Sequence, residues 1–561
     1  MQFNQFSFNN KSNVPKLLRI FSGVILTWLF LVVGSGVWSI SWLVLGNTSL
    51  AIVGASTANM LTFGSVPDIL IAKNGLLLLD QAQSLAAQAT GLQSSLNQES
   101  EINLQPLIPE LQQLEDQLIV FNEVWKQPGP SLLKPYITYR LATYQRGLAP
   151  SAILDTGLKY LHVLNAVLEE PGEYIILFQN ADEIRATGGF LGSYARFSYY
   201  NGMVSAPVIR DIYEPAGQFS GYIPAPPGVQ EYLSGGEGLQ LQDANWSADF
   251  PTAANTILSF FSLGNEQNVT SVVAIHSGLI SDILAITGPI FLPDYDAFAN
   301  AQNFSELARA DRETFFPGSK QKTFFLEHFF TQLKSQVSNA NTDQILQMIS
   351  LLMQKNQTYV QAYHEKPIVQ EKIEQASLSG SIQIPDNTEF FLYPVESNVG
   401  INKANKAVTR TYRLILAENE SSLKITFENN NISKPKTTIR NPNIAEADHL
   451  HYVNYQRLLI EPDVQVTQIF HGETQIIDWS EEIITTHAGT QLKEIGFLVI
   501  VRENTTNHVT ISLSHPGKIS NTSQITMPFQ PGLPPSVLQI ETAKDVQQYS
   551  FVSDITTLIA L

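Results

Sequence analysis

Apolar residues run from Ile20 to Leu45, and the whole stretch from Ile20 to Pro67 carries no Asp, Glu, Lys or Arg. A helix rises about 1.5 Å per residue and the hydrocarbon core of a bilayer is roughly 30 Å thick, so residues 20–45 are long enough to span it with tilt. Trp42, near the exit, suits an interfacial position. A signal peptide is the alternative: its apolar core is typically about 7–15 residues, and the small residues AIVGAS at 51–56 would permit cleavage. Lys11, Lys16 and Arg19 precede the run, and no acid occurs before Asp68. That is the positive-inside pattern, so residues 1–19 are expected in the cytoplasm, 20–45 in the lipid bilayer as a single pass, and the remainder outside. Uncharged residues 47–67 read as a juxtamembrane stretch, with a second membrane segment as the other possibility.

Beyond the anchor the pattern changes three times. Residues 46–170 hold the juxtamembrane stretch and a helical stalk or bundle. In it Leu107, Leu111, Leu114, Leu118 and Phe121 recur at the 3.6-residue spacing of an amphipathic helix. Residues 171–375 alternate strand-like and helix-like runs, which indicates an α/β domain with a mixed sheet. YIILFQN (174–180) and VTSVVAIH (269–276) read as strands, and TAANTILSFFSL (252–263) and SGLISDILAIT (277–287) as helices. Asn201-Gly202, between FLGSYARFSYY and MVSAPVIRDIYE, supplies the positive φ values of a tight hairpin turn. Residues 380–561 are short β-branched or aromatic runs separated by Asn, Gly, Ser and Pro, the signature of an all-β sandwich-like domain.

Composition narrows the partners. Net charge is −18 and cysteine is absent. No basic footprint for nucleic acid exists, and an anionic ligand would need local arginines rather than a global field. Without thiols there are neither disulfides nor thiolate metal sites, which fits a bacterial envelope better than a secreted eukaryotic ectodomain.

No P-loop, dinucleotide fingerprint, zinc-protease helix or nucleophile elbow is present. His449 and His451 lie at strand spacing without an acidic third ligand, so no metal site is assigned. The loop Gln179–Phe190 follows a strand and precedes the hairpin, where backbone amides and a cation can meet an anion. Arg185 and Thr187 are candidates for that contact; a tight turn with Arg185 paired to Asp182 is the competing reading. Counting back from a two-residue turn puts Ser193 opposite Arg210, with Arg196 on the other face of the sheet. Arg210 and Asp211 therefore join Arg185 as candidate anion or pyrophosphate ligands, and a one-residue bulge would reverse the assignment. In QDANWSADFP (242–251), Asp243, Asn245 and Asp249 are candidate pocket-lining residues, with helix capping as the equal alternative for the two aspartates.

RATGGFLGSY (185–194), DIYE (211–214), DANWSADFPTAA (243–254), VVAIHSGLISDILAITGPI (272–290) and YVNYQRLLIEPDVQV (452–466) resemble the bacterial domain of unknown function 4012 family. The resemblance runs over roughly 170–470 and implies an N-terminal membrane helix with an extracytoplasmic remainder of unassigned activity. More distantly, the order of elements is similar to that of the LytR-CpsA-Psr ligases, which move polymers from polyprenyl pyrophosphate to the envelope. By that resemblance Arg185 matches their first arginine and Arg210-Asp211 their Arg-Asp pair. Their first arginine is closely followed by a metal-binding Asp, whereas Ala-Thr-Gly-Gly follows Arg185.

Two readings follow. One is a membrane-anchored envelope protein without a cofactor, binding an envelope glycan, lipid or partner. The other is a ligase-like phosphotransferase acting on a polyprenyl-linked glycopolymer with Mg2+.

Overall fold

The computed structural model describes residues 67–91, 102–144, 149–308, 321–338, 340–432, 450–519 and 522–560, with Ile52, Ala55, Asn441, Asn443 and Ile444. The expected membrane helix at 20–45 lies outside these. Among the described residues no helix is long and apolar enough to cross a membrane.

The helical layer is α1 (Pro67–Gly91), α2 (Ile108–Lys126), α3 (Leu133–Tyr144) and α4 (Pro150–Glu169). In α2 the expected stripe is buried at Leu111, Leu114, Leu118 and Phe121, and Pro109 sits in the first turn, where its missing N–H costs nothing. α3 was not expected, because Pro135 and the surrounding tyrosines mask its period. Pro135 falls in its first turn.

A seven-stranded sheet follows, built from β1 (Ile102–Asn103), β2 (Gly172–Asn180), β3 (Phe190–Tyr200), β4 (Met203–Val204), β5 (Val208–Asp211), β6 (Val269–His276) and β7 (Val360–His364). β2 and β6 run parallel, while β3 and β7 flank them antiparallel. α5 (Phe250–Leu263) covers one face, packing Ile257 and Phe261 on Leu177, Val272 and Ala274. α6 (Ser277–Thr287) and α7 (Gln321–Ser338) cover the other, where Leu284 and Phe329 meet Ala195 and Ile209.

The hairpin turn forms as expected, with Asn201 and Gly202 at φ 51° and 76°. The register does not hold beyond it. Tyr200 faces Met203, but Tyr194 faces Arg210 and Ser193 faces Asp211, so one extra residue is absorbed between β4 and β5. A one-residue slip exchanges the faces. Arg210 therefore shares a face with Arg196 rather than with Ser193, the reverse of the count from the turn.

The C-terminal region is β-rich, with two further sheets packed about one core. In the sheet that contains Val408–Leu416, burial alternates strictly along that strand. In the other sheet, Phe390–Asn398 and Tyr452–Ile460 are buried at every position. Their second face is covered by the α/β body: Tyr393, Val395 and Leu459 pack with Ala186 and Ala248, and Val453 and Tyr455 with Trp246.

Inside this β-rich core, Arg410 is bidentate on Glu396, at 3.1 and 2.8 Å, and the Tyr412 and Tyr452 hydroxyls donate to the same carboxylate. Removing one partner of such a pair strands the other charge. Arg410→Ala should cost about 3–5 kcal/mol in urea unfolding of the full chain. A loss below about 1 kcal/mol would contradict this reading of the pair.

Candidate functional site

The loop between β2 and β3 carries the residues that the sequence singles out. Burial removes Arg185 from solvent almost entirely (1% exposed), so each of its N–H groups needs an internal acceptor. Nε and Nη2 donate to Asp243 Oδ1 at 3.1 and 3.0 Å, and Nη2 also to Glu183 Oε1 at 3.2 Å. Nη1 donates to the Asn398 carbonyl at 2.5 Å, across to the β-rich region. The carboxylate partners are thus Glu183 and Asp243. Burial alone would disfavour the guanidinium charge, but these two acids hold its pKa above the usual value.

Asp243 is therefore a charge partner inside a short 3-10 turn, Leu241–Asp243. Asn245 is fully buried: its Nδ2 donates to Thr187 Oγ1 at 2.9 Å and to the Gly189 carbonyl at 2.8 Å. Thr187 Oγ1 also accepts from Gln179 Nε2 at 2.7 Å. Asp249 caps α5 through Thr252 N, 3.3 Å, and accepts from Ile382 N and His487 N at 3.0 and 2.9 Å. Capping and bridging, not pocket lining, account for its carboxylate.

The same loop is joined to the β-rich region at several further points. Asn398 N donates to the Ile184 carbonyl, Asn405 Nδ2 to the Ala181 carbonyl and Gln530 Nε2 to the Arg185 carbonyl. Gly188, at φ 130°, approaches Gly532 so closely that a Cβ on Gly532 would lie 2.2 Å from the Gly188 carbonyl oxygen. From the other side Arg457 donates to the Trp246 carbonyl at 2.8 Å and lies 4.4 Å over its ring.

Arg210 is elsewhere. Its guanidinium reaches Glu266 at 2.5 Å, and Arg196 pairs with the same carboxylate. The structure therefore places Arg185 and Arg210 in separate ion-pair networks, each already neutralised. Asp211 Oδ1 accepts from Tyr213 N and the group is buried. Among the described residues no cluster of three His, Asp or Glu side chains converges as a metal would require.

These elements delimit what the chain is similar to. Residues 169–312 match the family described as protein of unknown function, DUF4012. The DUF4012 match takes in Arg185, Asp243, Asn245 and Asp249, and ends before the β-rich residues they bond to, short of the span near 470 that the motifs suggested. No curated protein matches the chain. Among solved structures, a Legionella pneumophila protein whose name refers to nutrient binding aligns over 26% of this chain at 8% identity and a TM-score of 0.17. The chain spans about half the length of that protein (52%), and so slight a likeness carries no argument.

Sequence reasoning missed Glu183 as a partner, as well as Glu266, Asn398 and Gln530. Only Glu183 is local enough to have been found, by asking which acid two residues away a buried arginine would choose.

Glu183 has a pH consequence. Burial raises its carboxyl pKa more than Arg185 and Lys403 lower it, and Asp243 adds to the rise. A group whose folded pKa is raised contributes stability below its unfolded pKa, near 4.3, and loses it as pH climbs through the folded value. Glu183→Gln keeps an acceptor for Arg185 and removes the ionisation. Thermal unfolding across pH 4–8 should show the wild type losing stability relative to this variant as pH rises. Parallel curves would refute the assignment.

Proposed function

We propose that the chain is a non-catalytic, membrane-anchored protein of the bacterial envelope, binding an envelope glycan, lipid or partner outside the cytoplasm. The single observation that carries the non-catalytic part is the internal saturation of Arg185. A guanidinium that binds a substrate phosphate keeps donors directed at open space, whereas this one has them on Asp243, Glu183 and the Asn398 and Ile184 carbonyls. Thr187 is likewise taken up by Gln179 and Asn245.

The anchor and the orientation rest on the charge-free run after Arg19 and on the cations before it. The phosphotransferase alternative needs Arg185 and Arg210 to act on one pyrophosphate, and no observation favours it: the two lie in different networks.

In cells, the full chain should sediment with membranes and resist carbonate extraction, and protease added outside the cytoplasmic membrane should digest everything beyond about residue 46. Release of the chain by carbonate, or protection of the C-terminal region, would overturn the topology. Purified full-length protein with a polyprenyl-pyrophosphate-linked glycan, Mg2+ and a glycan acceptor should show no transfer of the phosphoglycan to an acceptor hydroxyl and no release of polyprenyl phosphate. Transfer lost on Arg185→Lys would overturn the non-catalytic reading.

A further inference from the structure

Among the polar side chains of the sheet that hold a buried atom without a partner, two stand side by side. Asp211 is 2% exposed and Ser193 is 1% exposed. Asp211 Oδ1 is occupied by Tyr213 N, but its Oδ2 has no partner, and neither has Ser193 Oγ. A buried polar atom without a partner is destabilising, and more so when it is charged. Such an atom calls for an explanation.

Register brings the two together. Ser193 stands directly opposite Asp211 on β3 and β5, and directly opposite Phe178 on β2. Opposed residues share a face of the sheet, with Cβ atoms about 4.5–5.5 Å apart. Asp211, Ser193 and Phe178 thus form one row beneath the helical cover. Phe178 is stacked on Phe330 of α7, ring centroids 4.8 Å apart. The surroundings are apolar, with Ile209 and Ala195 as neighbours in the same core. Arg210, the adjacent cation, projects to the opposite face and is held by Glu266.

The row therefore presents a carboxylate oxygen and a hydroxyl oxygen beside an aromatic wall, and among the described residues no cation pairs with that carboxylate. We propose that it is a binding site for an organic ammonium group. The ammonium N–H groups would donate to Asp211 Oδ2 and Ser193 Oγ, and the stacked Phe178 and Phe330 rings would give the organic part an apolar wall. A bare metal ion is a poorer fit, because two side-chain oxygens fall well short of the six to eight that a hard cation such as calcium takes. Since both side chains are sealed, the group enters only when the cover shifts, and association is slower than diffusion. The inference rests on reading the α/β body as a binder, and not on the membrane anchor.

The test uses the full-length protein with methylammonium, butylammonium and 2-phenylethylammonium chlorides, and with 1-butanol and 2-phenylethanol as uncharged counterparts, by calorimetry at pH 7. At least one amine is expected to bind, ten-fold or more tighter than its alcohol. Asp211→Asn should weaken it at least ten-fold and Ser193→Ala several-fold. Should Asp211→Asn fail to fold by circular dichroism, Ser193→Ala decides. Binding of none of the amines, equal binding of the alcohols, or affinity unchanged in the folded variants would overturn the inference. Binding of glycan or lipid vesicles without any amine binding would overturn this site alone and leave the binding function standing.

Discussion

A guanidinium sealed from water is the constraint around which this molecule is arranged. Burying a charge is costly unless it is both paired and fully hydrogen-bonded. Arg185 meets that condition only by drawing on three separate parts of the chain: its own loop at Glu183, the turn at Asp243, and the backbone of a strand in the β-rich region at Asn398. Of these acceptors, the Asn398 carbonyl would be missing if the α/β body and the β-rich region were apart, leaving Nη1 short of a partner. The charge therefore fixes their mutual position more sharply than apolar contact alone would.

The strand patterns carry the same message. A β-sheet facing solvent on one side alternates apolar and polar residues, as Val408–Leu416 does. Phe390–Asn398 and Tyr452–Ile460 are buried on both sides, and they are the strands that supply Asn398 and Arg457 to the junction. Arg457 over Trp246 repeats the Arg185 arrangement from the opposite direction. Asp249, capping α5 while receiving Ile382 N and His487 N, does so again with a carboxylate. The DUF4012-matching segment thus ends at residue 312, but its most distinctive polar residues are anchored by residues beyond it.

Much of the fold was legible because local periodicity and turn chemistry determine it. The cap ahead of α5 was left open between Asp243 and Asp249 and level with pocket lining, whereas the α2 stripe and the Asn201-Gly202 turn were read correctly from spacing. The slip between β4 and β5 was not, since it depends on how the sheet edge accommodates Ser205–Pro207 rather than on any turn residue. It moved Arg210 to the face of Arg196 and left Asp211 opposite Ser193. Arg185, Thr187, Asp211, Asp243, Asn245 and Asp249 are buried, but residue type alone does not say whether a buried polar side chain serves a ligand or a junction. What distinguishes the two is the identity of the acceptors, and Asn398 and Gln530 lie more than 200 residues from the loop they satisfy. No local pattern encodes a bond of that range.

Hydrogen exchange of Arg185→Met, set against the wild type, tests most directly whether the buried guanidinium holds the two parts together. If it does, amides of residues 183–190 and those of Ile382, Asn398 and His487 should lose protection together, although the last three are remote in sequence. Loss confined to residues 183–190, with Ile382, Asn398 and His487 unchanged, would contradict the account and return Arg185 to the role of a local or ligand-binding residue.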